Sequence, residues 1–194
     1  MRIVVVGATG TIGKAIVAAL ARDHEVVAAS RRSKIGVDIT EPESIRAMYR
    51  TVGRIDALVS AAGGAKFAPF TQLTDANFQF SLNDKLMGQV NLVRFGMETM
   101  NDGGSFTVTT GILARRPMPG SGAISLVNSG LEGFVRAAAL EAPRGIRVNA
   151  VSPPWITDTL QALGMDPSGG MTPEAAAQLY VRSVTGKETG AVIE

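Results

Sequence analysis

At 194 residues and 45% hydrophobic content the chain is long enough for one well-cored domain and short for two, and its net charge of +2 comes from scattered basic residues. The lack of cysteine excludes disulfides, thiolate metal sites and a cysteine nucleophile and fits a reducing cytoplasm, while a single histidine, His24, excludes a histidine metal cluster and leaves any Ser-His-Asp triad dependent on that one remote residue. With no arginine-rich run interleaved with aromatics, no apolar run of membrane length and no charged-then-apolar leader, neither nucleic acid nor membrane is an expected partner.

Arg2-Ile3-Val4-Val5-Val6 is an apolar, β-branched run that stops at Gly7, the pattern of a strand buried on both faces of a parallel sheet. Gly7, Gly10 and Gly13 follow at even spacing, and a helix over 12–22 begins among them. Such positions turn the chain sharply, let backbone approach a pyrophosphate and seat the helix on the strand, and a Cβ atom obstructs all of these. Thr9, Thr11 and Ile12 lie between the glycines, where free N–H groups and the helix dipole attract phosphate. The strand before and the helix after set the motif apart from a glycine-rich turn without a ligand.

A strand over 25–29 runs into Ser30-Arg31-Arg32-Ser33. Sheets of this kind usually place an acid there for the ribose 2′-hydroxyl of NAD. Two guanidinium groups after a small hydroxyl suit the 2′-phosphate of NADP instead, the competing reading being a solvated charged loop.

Gly36 to Thr40 reads as a short strand and its exit, and Thr40-Glu41-Pro42-Glu43 carries the chemistry of a helix start, so a helix over 42–52 follows. Ile55 to Ser60 is another buried strand, ending in the small residues Ala61-Ala62-Gly63-Gly64 at the edge where ligands lie in this architecture. Residues 65–77 read as a loop and 78–100 as a long helix with Leu82, Leu86, Val90, Val93 and Met97 on one face. A strand over 105–110, a Gly- and Pro-rich loop over 111–122, a helix over 123–141, a strand over 146–151, a helix over 173–183 and a short strand over 191–193 complete the chain. Alternating βα units at this spacing predict an α/β fold, a doubly wound parallel sheet flanked by helices in a single domain.

With those elements in place, the chain resembles the short-chain dehydrogenase/reductase family over nearly its whole length. Gly7-Ala8-Thr9-Gly10-Thr11-Ile12-Gly13 resembles the family's cofactor loop, in the glycine spacing of its atypical or extended branches. Asp38, with Ile39 beside it, matches the acid that meets the adenine amino group, and Ser60-Ala61-Ala62-Gly63 stands in for an Asn-Asn-Ala-Gly turn. Gly103-Gly104-Ser105 and Arg147-Val148-Asn149-Ala150-Val151-Ser152-Pro153 are close to family wording. The resemblance implies a Rossmann-type NAD(P)-binding domain over 1–194 and puts Pro153, Trp155 and Ile156 at the nicotinamide amide and a small substrate lid, Trp155 having a hydrophobic plug as its alternative. It also implies a homodimer or homotetramer through helices 78–100 and 123–141, where Gly88, Gly96, Ala137 and Ala138 are small; otherwise those faces are spent on the sheet.

The family's proton-transfer residues are not kept. Register from Ala123 and from Gly130-Leu131-Glu132-Gly133-Phe134 puts Ile124 at the tyrosine, Asn128 at the lysine and Gly111 at the serine that orients the carbonyl. An aliphatic side chain has no proton to give. Aligning Gly88 places Lys85 where the family has an asparagine, so lysine and asparagine have traded places. Lys85 thereby becomes a candidate for cofactor positioning and, if burial lowers its pKa, for proton donation, against a solvated helix residue. Thr109 and Thr110 are the nearest candidates to orient a carbonyl, and Tyr49 and Tyr180 read as ordinary helix residues. The leading function is an NADP-dependent oxidoreductase for a small carbonyl or alcohol. A catalytically inactive NADP-binding sensor or assembly subunit is the second reading, and an isomerase or lyase the third.

Overall fold

Ile3, Val4, Val5 and Val6 are at most 1% exposed, because successive side chains of a strand point to opposite faces and both faces here are covered. Ile3 and Val5 join Ile16, Leu20 and Tyr180 in one core, whereas Val4 and Val6 join Met48, Leu58, Phe106 and Leu131 in the other. The computed structural model describes residues Met1–Glu194. Strands β1 (Arg2–Val6), β2 (Glu25–Ser30), β3 (Ile35–Gly36), β4 (Ile55–Ser60), β5 (Met100–Thr109), β6 (Arg147–Val151) and β7 (Val192–Ile193) form one parallel sheet in the order 3-2-1-4-5-6-7. Helices α1 (Thr11–Leu20) and α7 (Pro173–Thr185) pack together over the first core. Over the second lie α2 (Pro42–Val52), α4 (Gly88–Gly96) and α5 (Gly122–Glu141). No helix is long and apolar enough to cross a membrane.

The helix expected over 78–100 differs most. It starts earlier, as α3 (Asp75–Ser81), because Thr74 and Asn77 cap its first turn reciprocally, and it passes through a π-helical turn, Leu82–Met87, before α4. It stops at Gly96, and β5 begins at Met100, opposite Ile55, with a register shift before Ser105 meets Ala57. Gly103, at φ 72°, lies inside that irregular stretch rather than at a helix end. The strand expected over 36–40 is only Ile35–Gly36, and a short α6 (Thr157–Ala162) follows β6 where no helix was expected.

Two of the small residues expected at a subunit interface, Gly88 and Gly96, make room for the interior, whereas Ala137 is exposed. A Cβ on Gly88 would stand 2.8 Å from Ile39, and one on Gly96 would collide with the Tyr49 ring. Tyr49 and Tyr180 are core residues: the Tyr49 hydroxyl donates to the Leu92 carbonyl at 2.5 Å, and the Tyr180 hydroxyl lies 2.8 Å from Thr109 Oγ1. Burial pushes both phenols up, so neither supplies a titrating proton.

Candidate cofactor cleft and active site

The sheet order reverses at β1, whose neighbours are β2 and β4, and a crevice opens above the carboxyl ends of these strands. Gly7, at φ 82°, makes the turn out of β1, and a Cβ there would press within 2.8 Å of the Ala61 carbonyl. Gly13 lies so close to the Gly7 carbonyl that any side chain would overlap it, which seats α1 against the strand end. The N-cap of α1 is Gly10, without a side-chain cap, and no acid stands in its first turn. The helix's opening N–H groups are therefore left for an anion.

The resulting cleft encloses about 660 Å³. Gly7, Thr9 and Gly10 form one wall, Ser30, Arg31 and Arg32 one end, Asp38 and Ile39 a side, and Ala61, Ala62 and Gly63 the facing turn. At the arginine end, Ser30 Oγ accepts the Arg32 amide at 3.1 Å and pairs with Ser33 Oγ at 2.7 Å, bending the loop so that both guanidinium groups stay exposed. Asp38 Oδ1 accepts the Thr40 amide and hydroxyl at 3.0 and 2.8 Å; those bonds hold its carboxyl below the usual range, and Arg31 adds a smaller pull. These groups fit a dinucleotide with a phosphate at its adenosine end: a glycine cradle, an uncapped helix start, two cations and an acceptor for an amino group.

Lys85 sits in the π turn, against Gly63, where a Cβ would come within 3.0 Å of the lysine Cα. Asp84 Oδ1 accepts the Gly64 amide at 3.1 Å and ties the same turn to the strand exit. The Lys85 ammonium donates to the Thr110 carbonyl at 3.4 Å, and burial lowers its pKa to about 8, with Asp84 opposing the shift. From α5, Asn128 Nδ2 donates to the Gly111 carbonyl, also at 3.4 Å, leaving Oδ1 buried and unpaired. A Cβ at Gly111 would stand 3.2 Å from that amide, so loss of a side chain at 111 makes room for Asn128. Gln89, fully buried, pairs both amide atoms with the Thr109 backbone at 2.8 and 2.9 Å and locks the helix onto the end of β5.

Several expected positions need correction. Thr109 Oγ1 donates to the Ser60 carbonyl and meets Tyr180, so its hydroxyl serves the α7 face of the sheet and not the cleft. The Thr110 hydroxyl turns to the Val151 carbonyl at 3.4 Å and is 3% exposed; this residue brings its own carbonyl to Lys85 rather than a hydroxyl to a substrate. Pro153 and Ile156 are buried, the first accepting the Ile112 amide and the second bridging to Met171, because the chain past β6 folds back on itself. Trp155 stands beside Phe67, outside the cleft wall. Thr11, Ile12 and Gly13 open α1 and offer the cradle their backbone N–H groups rather than side chains, the Ile12 side chain packing on the α1 core. The cleft also takes Gly64, the last of the small residues expected at the exit of β4, and Val6, Val37, Phe80 and Asp84, which were not expected to line it, although Asp84 directly adjoins Lys85.

A sequence profile described as enoyl-(acyl carrier protein) reductase matches residues 2–193. The protein lin1944 from Listeria innocua is 39% identical, and its crystal structure superposes with a TM-score of 0.95 over 99% of this chain and 98% of that one. A small-chain dehydrogenase solved in complex with NADPH is 26% identical, with a TM-score of 0.88 over 100% of this chain and 95% of that one. Acetoacetyl-CoA reductase from Cupriavidus necator is 28% identical over 190 residues, 84% of this chain and 77% of the enzyme. Hydroxynaphthalene reductase from Aspergillus fumigatus is 33% identical over 112 residues, 56% of this chain, and that match spans only 40% of the enzyme's length.

Proposed function

The chain belongs to the short-chain dehydrogenase/reductase family of oxidoreductases, and from that premise we propose that it interconverts a small carbonyl and its alcohol with NADP, Lys85 carrying the proton. The observation that carries this reading is the Lys85 ammonium at the Thr110 carbonyl, next to Gly111 in the serine's place, in a chain with Ile124 in the tyrosine's. Bound NADPH supplies the hydride. The protein supplies grip and proton: the Gly7–Gly10 cradle and the α1 N–H groups would hold the pyrophosphate, Arg31 and Arg32 the 2′-phosphate, and Asp38 the adenine amino group. As negative charge grows on the carbonyl oxygen, Lys85 Nζ gives up a proton and is left as the neutral amine, to be recharged from solvent. In the alcohol direction the amine takes that proton back. Asn128 and Gln89 hold the turn against which the ammonium is placed. An NADPH-bound relative of the same fold supports the choice of cofactor.

Ile124 favours a second reading, a catalytically silent NADP-binding module, because that position cannot donate a proton. Fluorescence titration with NADPH and NADH, followed by a panel of carbonyls, separates the two. Tighter NADPH binding with turnover supports the oxidoreductase; binding without turnover of any carbonyl supports the silent module. The second copy of the chain that we propose as its partner would dock on α5, where Leu126 and Leu140 are 49% and 89% exposed and the space over Gly133 between them is open.

A further inference from the structure

Loops after β4, β5 and β6 come together past the carboxyl ends of these adjacent strands, and two large aromatic side chains stand where they meet. Phe67, from the first loop, packs edge-on against Trp155 of the third, with ring centroids 6.5 Å apart and planes at 82°. The second loop shapes itself to the same ring: a Cβ on Gly120 would stand 3.0 Å from Phe67, and the Ala68 amide donates to the Gly120 carbonyl at 3.0 Å. Phe67 is thus seated by all three loops, yet it is 40% exposed, and Trp155 is only half-buried. A pair held in place but left wet has not been packed for stability alone, since covering such rings is strongly favourable.

Two of the basic side chains on these loops are engaged elsewhere. The Lys66 ammonium lies over the Phe80 ring at 4.8 Å, and Arg115 pairs with Glu194 at 2.7 Å and Glu132 at 3.6 Å. Arg116, on the surface, has no such partner, and the Lys85 ammonium meets only the Thr110 carbonyl. No cation stacks on either of these two rings, and a flat apolar group would find an edge on one side and a face on the other, the two arrangements aromatic pairs prefer.

We infer that the substrate is a carbonyl compound bearing an aromatic ring, and that this ring enters between Phe67 and Trp155, replacing their mutual contact. The inference rests on the oxidoreductase reading and adds its substrate class. Trp155 is the only tryptophan in the chain, so its emission reports on the slot directly. Protein is first titrated with NADP⁺, and the loaded protein is then titrated with 1-phenylpropan-2-one and with acetoacetate, following Trp155 emission. The phenyl ketone is expected to shift the emission and to bind about tenfold tighter or more, and Phe67→Ala to weaken it about tenfold at unchanged NADP⁺ affinity, with Phe67→Tyr restoring it. Acetoacetate binding as tightly as the phenyl ketone, or a Phe67→Ala variant that binds the ketone unchanged, overturns the substrate class while leaving the NADP reading intact. Failure to bind NADP⁺ overturns both.

Discussion

Lys85 and Asn128 reach one turn from two different helical segments: the lysine ammonium is 3.4 Å from the Thr110 carbonyl, and the asparagine amide is 3.4 Å from the next carbonyl, that of Gly111. Their family counterparts stand in the opposite arrangement, asparagine on the long helix and lysine on α5. The exchange keeps one cation and one amide at the end of β5, and the stem of the lysine passes beside Gly63, a residue of the cleft wall. In the mechanism we propose, proton supply at this site depends on an ammonium in place of a phenol.

The first consequence is a pH dependence. Burial brings the Lys85 pKa down to about 8, so the ammonium predominates below that value and the amine above it. Carbonyl reduction needs the ammonium and should be level at lower pH, then fall about tenfold per pH unit above the pKa; alcohol oxidation needs the amine and should rise over the same range. Steady-state rates in both directions across the alkaline range check this.

A second follows by linkage. The folded-state pKa of Lys85, about 8, lies below its ordinary value of 10.5, so between these values the unfolded chain binds more protons than the folded one. The lysine's destabilising contribution is complete below the window and disappears as pH rises through it. Lys85→Met should raise the Tm at neutral pH and flatten its rise between these two pH values, as thermal melts of both proteins would show.

Arg31 and Arg32 should select the cofactor. Arg31→Ala with Arg32→Ala is expected to raise the Kd for NADPH about tenfold or more while leaving that for NADH nearly unchanged, because the lost bonds are charge-assisted ones to a group NADH lacks. Parallel titrations by cofactor fluorescence measure both.

Leu126, Gly133 and Leu140 recur at heptad spacing along α5 and share one face. A double Leu126→Glu, Leu140→Glu variant should convert the proposed dimer to monomer at unchanged Tm per protomer core, read by light scattering after size exclusion.

The glycine-lined half of the cleft was legible in sequence because its signals are local. A β-branched strand, three glycines and a helix start occupy adjacent positions, and close packing of Gly7 and Gly13 follows from that adjacency. Strand parity would also have separated the two threonines: Thr107 and Thr109 face Ser183 and Tyr180 on α7, which leaves Thr110 to the other side. The π turn was not legible, since a helical hydrophobic pattern carries no mark of an added residue per turn, and that turn is what holds Asp84 and Lys85 against the strand exit. Nor could Pro153, Trp155 and Ile156 be placed, because their positions depend on how loops after β4, β5 and β6 meet.

Single-turnover oxidation of NADPH by a carbonyl substrate, in wild-type protein and in Lys85→Met at matched NADPH saturation, tests the central claim most directly. The account predicts hydride transfer in the wild type and a loss of about a hundredfold or more in the variant, with NADPH still bound. Equal rates in the two proteins, or no transfer from bound NADPH to any carbonyl, would contradict it.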